Sequence, residues 1–111
     1  MTNEQMATRL NEYVELVTEL NEAYFARMGW TYKPAPTAKV RMGKKFAKVV
    51  TGDFDEVYTG EMVHTFISMQ NGDILKAGSY KAPAKNGVRG NIFASDLGKS
   101  CITEHGARYI H

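Results

Sequence analysis

The stretch NEQMATRLNEYVELVTELNEAYFARMG, residues 3–29, decides how the rest of the chain can fold. Its apolar side chains recur at alternating spacings of four and three residues, which places them on one face of a helix. That stripe consists of Met6, Leu10, Tyr13, Val17, Leu20 and Tyr24. Thr2 with Gln5 matches a capping box, and Gly29 suits the left-handed position that ends a helix. We therefore predict an amphipathic helix over about residues 3–28.

An apolar stripe of this kind needs a second surface to cover it. The same spacing forms the seam of a coiled coil, but here it persists for less than three heptads. Packing onto a sheet of the same chain, or onto a second copy, is therefore favoured over a free coil. A homodimer through the N-terminal helix stays open.

Beyond the helix, the pattern predicts short strands. Pro34 and Pro36 lie in a connector at about residues 33–38, because proline lacks an N–H donor. Alternation and turn residues then predict strands at about residues 44–51, 56–70 and 73–80. The strongest turn signal is Asn71-Gly72, which suits a tight type I′ hairpin.

Consecutive short connections between these strands predict an antiparallel meander of three to four strands, with the helix covering one face. The fold class is α+β. Residues 1–111 are expected to form a single domain with an irregular C-terminal third.

Composition and the absence of targeting signals indicate where in the cell the protein is expected. The chain has 111 residues, of which 43% are hydrophobic, and it carries a single cysteine. One cysteine cannot form an internal disulfide, the first ten residues lack the order of a secretion signal, and no apolar run approaches the roughly 18 residues of a membrane span. We expect a soluble protein of the reducing cytoplasm that does not enter membranes.

The charges are segregated along the chain. Residues 33–48 hold six Lys or Arg and no acid, whereas residues 1–28 hold five Glu against two Arg. Such a distribution favours an anionic partner for the basic part, although a solvated face is the commoner cause of a charge run.

A second basic segment, SYKAPAKNGVRGNIF at residues 79–93, contains no acid and combines cations with proline and glycine. Lysine, a paired arginine donor and backbone N–H groups exposed by glycine suit phosphate, and a tyrosine can stack on a base. We predict a basic loop at residues 80–91 that binds a phosphate-bearing ligand, either nucleic acid or a nucleotide. Its candidate ligand-binding residues are Tyr80, Lys81, Lys85, Asn86, Gly87, Arg89, Gly90 and Asn91.

Other interpretations of this segment remain open. It matches neither the Walker loop nor the dinucleotide-binding glycine pattern, and a solvated loop would have the same composition. His64, His105 and Cys101 form no recognisable catalytic or zinc-binding set, so no cofactor or metal is predicted. The sequence favours a non-enzymatic binding protein. A protein that binds and modulates a host protein is the alternative, and an enzyme acting on nucleotides comes third.

Three segments carry a resemblance to known proteins: GKKFAKVV, VHTFISMQNGDILKAGSYKAPAK and VRGNIF, within about residues 43–93. In this order they resemble a family of short proteins encoded by tailed bacteriophages, for which no activity is established. The shared pattern is a strand, a Gly-Asp turn, a second strand and then Lys-Ala-Pro-Ala-Lys and Arg-Gly-Asn-Ile. Tyr80 stands where many relatives carry tryptophan. The resemblance implies a phage accessory protein made in a bacterial host cell.

Overall fold

A computed structural model describes residues 3–31, 35–52 and 61–107, apart from the side chain of Asn86. The predicted helix is present as α1, Asn3–Met28. Gly29 ends it with a φ of 72°. The Gly29 N–H donates to the Ala26 carbonyl at 3.1 Å and the Trp30 N–H to the Phe25 carbonyl at 3.0 Å. These two bonds form the Schellman motif, in which two otherwise unpaired helix carbonyls find donors. Thr2, the predicted N-terminal cap, lies outside the described residues.

The helix is followed by a five-stranded antiparallel sheet in which each strand pairs with the next along the chain. This topology confirms the α+β class. The strands are β1 Thr37–Arg41, β2 Phe46–Gly52, β3 Met62–Ser68, β4 Asp73–Ala77 and β5 Pro83–Asn91. The C-terminal part is less regular, with a short 3-10 helix and a two-stranded sheet. These elements are the 3-10 helix Lys99–Cys101, β6 Ile102–Thr103 and β7 Gly106–Ala107.

Two edge strands correct the sequence-based boundaries. The predicted connector at residues 33–38 overlaps β1, and the predicted basic loop at residues 80–91 is largely β5. Both strands lie at an edge of the sheet, where one side of the backbone needs no partner strand and proline is tolerated. β5 pairs with β4 through two register shifts, which accommodate its glycines. Residues 56–60 of the predicted second strand lie outside the described part of the chain.

The hairpin between β3 and β4 also differs from its prediction. The loop has four residues, 69–72, and of Asn71 and Gly72 only the glycine has a positive φ, 82°. A type I′ turn needs a positive φ at both central residues. The Gly72 N–H instead donates to the Ser68 carbonyl at 2.8 Å, and the Asn71 side chain accepts from the Asp73 N–H at 3.0 Å.

The core lies between α1 and one face of the sheet. It is formed by buried apolar side chains of the helix, the sheet and the segment after β5, namely Met6, Leu10, Tyr13, Val17, Ala38, Ala47, Val49, Ile67, Ile74, Ile92 and Ile102. Four residues of the predicted helix stripe are thus covered within a single chain, and a homodimer would need another surface of the helix. Among the described residues, no helix has both the length and the hydrophobicity of a membrane-spanning segment.

A buried chain of polar side chains crosses this core. Tyr13 Oη lies 2.7 Å from Thr65 Oγ1, which lies 3.0 Å from His64 Nδ1. His64 Nε2 lies 2.7 Å from the Thr103 carbonyl oxygen. Because a carbonyl only accepts, Nε2 of the histidine carries a proton. In the neutral imidazole, Nδ1 then accepts from Thr65, and Thr65 accepts from Tyr13.

Candidate anion-binding cleft

The sheet face opposite α1 carries Lys48, the charged residue of β2. Ala47 and Val49 point into the helix-side core. Side chains alternate between the two faces along a strand, so Phe46 and Lys48 point to the other face. Phe66 pairs with Lys48 across β2 and β3 and therefore shares that face. The outer face of the sheet is thus both basic and aromatic.

A cleft of about 330 Å³ opens on this face. It lies where the β1–β2 hairpin and the β4–β5 connection approach each other over the sheet. Its lining residues are Arg41, Met42, Gly43, Lys44, Lys45, Phe46, Lys48, Phe66 and Lys81. Five of these nine residues are cations, and they come from two basic segments that are far apart in the sequence. We name this site the cationic cleft.

The floor of the cationic cleft is aromatic. The rings of Phe46 and Phe66 lie edge to face, with centroids 6.2 Å apart. Phe66 is buried, whereas Phe46 is half-buried and lines the opening. Aromatic pairs of this geometry hold each other in place, so the floor is a fixed apolar surface.

Beside the cleft, one carboxylate connects two side chains. Arg41 Nε donates to both carboxylate oxygens of Glu61, at 2.9 and 3.1 Å, and Tyr80 Oη donates to Glu61 Oε2 at 2.6 Å. Lys48 Nζ lies 3.8 Å from the centroid of the Tyr80 ring, in cation-π contact. These contacts fix Tyr80, which is half-exposed, against the rim of the cleft.

These contacts shift the pKa values of Glu61 and Tyr80. The hydrogen bond from Arg41, followed by the one from Tyr80, lowers the pKa of Glu61 to about 2. The hydrogen bond to Glu61 raises the pKa of Tyr80. Glu61 is therefore ionised at neutral pH and offsets one positive charge of the cleft. Among the described residues, no carboxylate forms an ion pair with Lys44, Lys45 or Lys81.

The structure divides the predicted site residues into two groups. Tyr80 and Lys81 lie at the cationic cleft. Lys85 is exposed on β5 and does not line the cleft, and the side chain of Asn86 lies outside the described part of the chain. Arg89 is half-buried, and its Nη1 donates to the Val88 carbonyl at 3.3 Å.

The glycines and Asn91 have structural roles within β5. A Cβ at Gly90 would lie 2.9 Å from Cys101 Sγ, and a Cβ at buried Gly87 would lie 2.8 Å from the Ala84 carbonyl oxygen. The chain itself fills the space beside both glycines. Asn91 Nδ2 donates to the Asn71 carbonyl and to Asp73 Oδ1, both at 3.0 Å, which ties β5 to the β3–β4 hairpin.

Sequence reasoning missed two contributions to the site. The candidate site residues predicted from the sequence do not include Phe46, Phe66 or Glu61. Their role depends on which face of the sheet each strand residue occupies. The alternation in KKFAKVV, which puts Phe46 and Lys48 on one face, was the available signal.

Fold and site together define a small α+β protein in which a helix backs an antiparallel sheet and the outer sheet face bears a cationic cleft. The chain belongs to DUF7717, a family of unknown function, whose model matches residues 1–108. No curated protein and no solved structure matches the chain.

Proposed function

We propose that this protein is a non-enzymatic binding protein that holds a phosphate-bearing ligand, nucleic acid or nucleotide, in the cationic cleft. One observation carries the proposal: the β1–β2 hairpin and the β4–β5 connection bring lysines from two separate basic segments around one opening. Among the described residues, no carboxylate pairs with Lys44, Lys45 or Lys81, and clustered cations repel one another, which costs stability unless an anion binds between them.

The donor set suits phosphate in particular. Lys44, Lys45 and Lys81 supply mobile ammonium groups from opposite sides of the opening, and phosphate oxygens accept several such donors at once. Arg41 already holds one oxyanion, the Glu61 carboxylate, by a paired contact from Nε to Oε2 and from Nη2 to Oε1. The same guanidinium geometry serves phosphate.

The biological setting of the protein is part of the same proposal. The resemblance of three segments to proteins of tailed bacteriophages supports a phage accessory protein acting in the cytoplasm of a bacterial host. In the alternative function, the same basic face would bind an acidic surface of a host protein. The exposed apolar side chains of Met42 and Val88 favour this alternative, because protein interfaces use such groups.

A binding screen over single-stranded and duplex nucleic acids and nucleotides, at two salt concentrations, tests the proposal. Replacing Lys44, Lys45 and Lys81 by Ala should weaken binding of the ligand found and, for a polymer, flatten the log-log salt slope by about 0.7 per lysine.

Two single variants provide a matched comparison within one basic segment. Lys81→Ala, at the cleft, should lower affinity more than Lys85→Ala, outside it. If wild type binds no phosphate-bearing probe, or if the triple variant keeps full affinity, the proposed function is wrong and the host-protein alternative takes its place.

A further inference from the structure

The aromatic floor of the cationic cleft distinguishes among phosphate-bearing ligands. A simple anion gains nothing from aromatic rings, whereas a nucleobase gains stacking energy from them whatever its identity. Phe46 lines the cleft between the lysines of the hairpin and Lys48. A ligand with a flat ring next to its phosphates therefore matches both the aromatic floor and the lysines around it.

The aromatic floor does not suit an intact duplex. Bases in a duplex are stacked on one another, and a protein reaches their faces only by unstacking them. The cleft, at about 330 Å³, lies at the small end of the range for ligand pockets, roughly 300–1,000 Å³. Such a volume suits one unpaired nucleotide unit.

One further cation lies beyond the cleft on β1. Lys39 lies two residues before Arg41 on β1, and residues two apart on a strand share a face. Tyr80 adds a half-exposed ring beside the opening, with Lys48 against one of its faces. A further lysine and a ring outside the cleft favour a polymer over a free nucleotide, because single-stranded nucleic acid binds to a basic groove with successive stacking rings.

We propose that the cationic cleft binds single-stranded nucleic acid, with one base against Phe46 and the flanking phosphates on the surrounding lysines. This inference rests on the proposed function and narrows its ligand class. Base identity is not read, since stacking and phosphate contacts are insensitive to sequence.

Fluorescence anisotropy with four probes tests the inference on the full chain: a twelve-nucleotide oligothymidylate, the same backbone without bases, a duplex of equal length, and thymidine monophosphate. The oligothymidylate should bind at least about fivefold tighter than the abasic strand, which corresponds to the lower limit for stacking one base. It should also bind more tightly than the duplex and the mononucleotide.

A variant at Phe46 tests whether this difference in affinity arises from the aromatic floor of the cleft. Phe46→Leu, which keeps an apolar side chain without a π face, should lower affinity for the oligothymidylate about fivefold or more and leave affinity for the abasic strand unchanged. Phe93→Leu changes a ring that lies outside the cleft and is the matched control. Circular dichroism checks that both variants are folded.

The outcomes separate the two proposals. If the abasic strand, the duplex or the mononucleotide binds as tightly as the oligothymidylate, and the triple lysine variant still loses affinity, the cleft is an anion site and the single-strand inference is overturned. If no probe binds, or if the lysine variant keeps its affinity, the proposed function fails and the inference fails with it.

Discussion

Acidification should destabilise this protein through one buried side chain, His64. Its side chain lies in the helix-side core, where Nδ1 contacts Thr65 and Nε2 donates to the Thr103 carbonyl. Burial, the largest effect, lowers the pKa of His64 from its ordinary 6.5 to about 4. The hydrogen bond to Thr103 opposes this shift, and positive charge on nearby His105 adds to it.

The sign and size of the effect follow from the two pKa values. Between pH 6.5 and 4 the unfolded chain binds a proton at His64 that the folded chain does not bind. The free energy of unfolding is therefore unaffected by this group above pH 6.5, falls across that window, and levels off below about pH 4. The difference in pKa corresponds to a loss of about 3 kcal/mol.

Urea unfolding followed by circular dichroism at several pH values between 7.5 and 4 measures this loss. His64→Gln is the control, because the glutamine amide can donate to the Thr103 carbonyl and accept from Thr65 without titrating. Wild type should lose about 3 kcal/mol more than the variant over this range. An NMR titration that places the pKa of His64 near 6.5, or equal pH dependence in the two proteins, would refute the reasoning.

Three further predictions address the cleft, the edge strand and the helix. Glu61→Gln should raise affinity for an oligothymidylate about two- to fivefold in anisotropy measurements, because it removes the charge that competes for Arg41; lower affinity would mean that the carboxylate organises the cleft. Gly90→Ala should cost about 1–3 kcal/mol in urea unfolding through its clash with Cys101, and adding Cys101→Ala should restore part of it; a neutral single variant contradicts this packing. Leu10→Glu with Val17→Glu should unfold the chain, because both side chains are buried in its own core; a folded, soluble monomer in light scattering and circular dichroism would instead indicate a subunit interface.

The helix could be predicted closely because its signals are local. The four-three spacing specifies the buried stripe, and Gly29 ends the helix with the positive φ that the sequence suggested. The hairpin at Asn71-Gly72 was placed correctly for a similar reason, but its loop length was not. Loop length depends on the register of β3 against β4, which the residues of the turn alone do not determine.

The edge strands were harder to predict because their local composition argues against them. β5 begins with Pro83 and contains Gly87 and Gly90, which are typical of a loop. It becomes a strand because β4 offers it an unpaired edge and because Cys101 packs where a Cβ at Gly90 would lie. Both causes lie outside the residues of β5 itself, so the glycines were interpreted as openings for a ligand.

The composition of the cationic cleft depends on a single irregularity in the sheet. Val49 pairs with Thr65 but Val50 pairs with Val63, so β3 carries one extra residue, His64, at this point. If the pairing of Val50 with Val63 continued without the bulge, Phe66 would lie opposite Ala47, on the face that α1 covers.

With the bulge, Phe66 lies opposite Lys48 and forms the floor of the cleft, while Thr65 and His64 reach the buried polar chain. A one-residue change in register exchanges the faces of a strand, and no spacing within β3 reveals it. The hydrogen bonds of His64 to Thr65 and to the Thr103 carbonyl stabilise the bulged arrangement. The buried polar chain on one face of the sheet therefore helps to determine which aromatic side chain lies beneath the cleft on the opposite face.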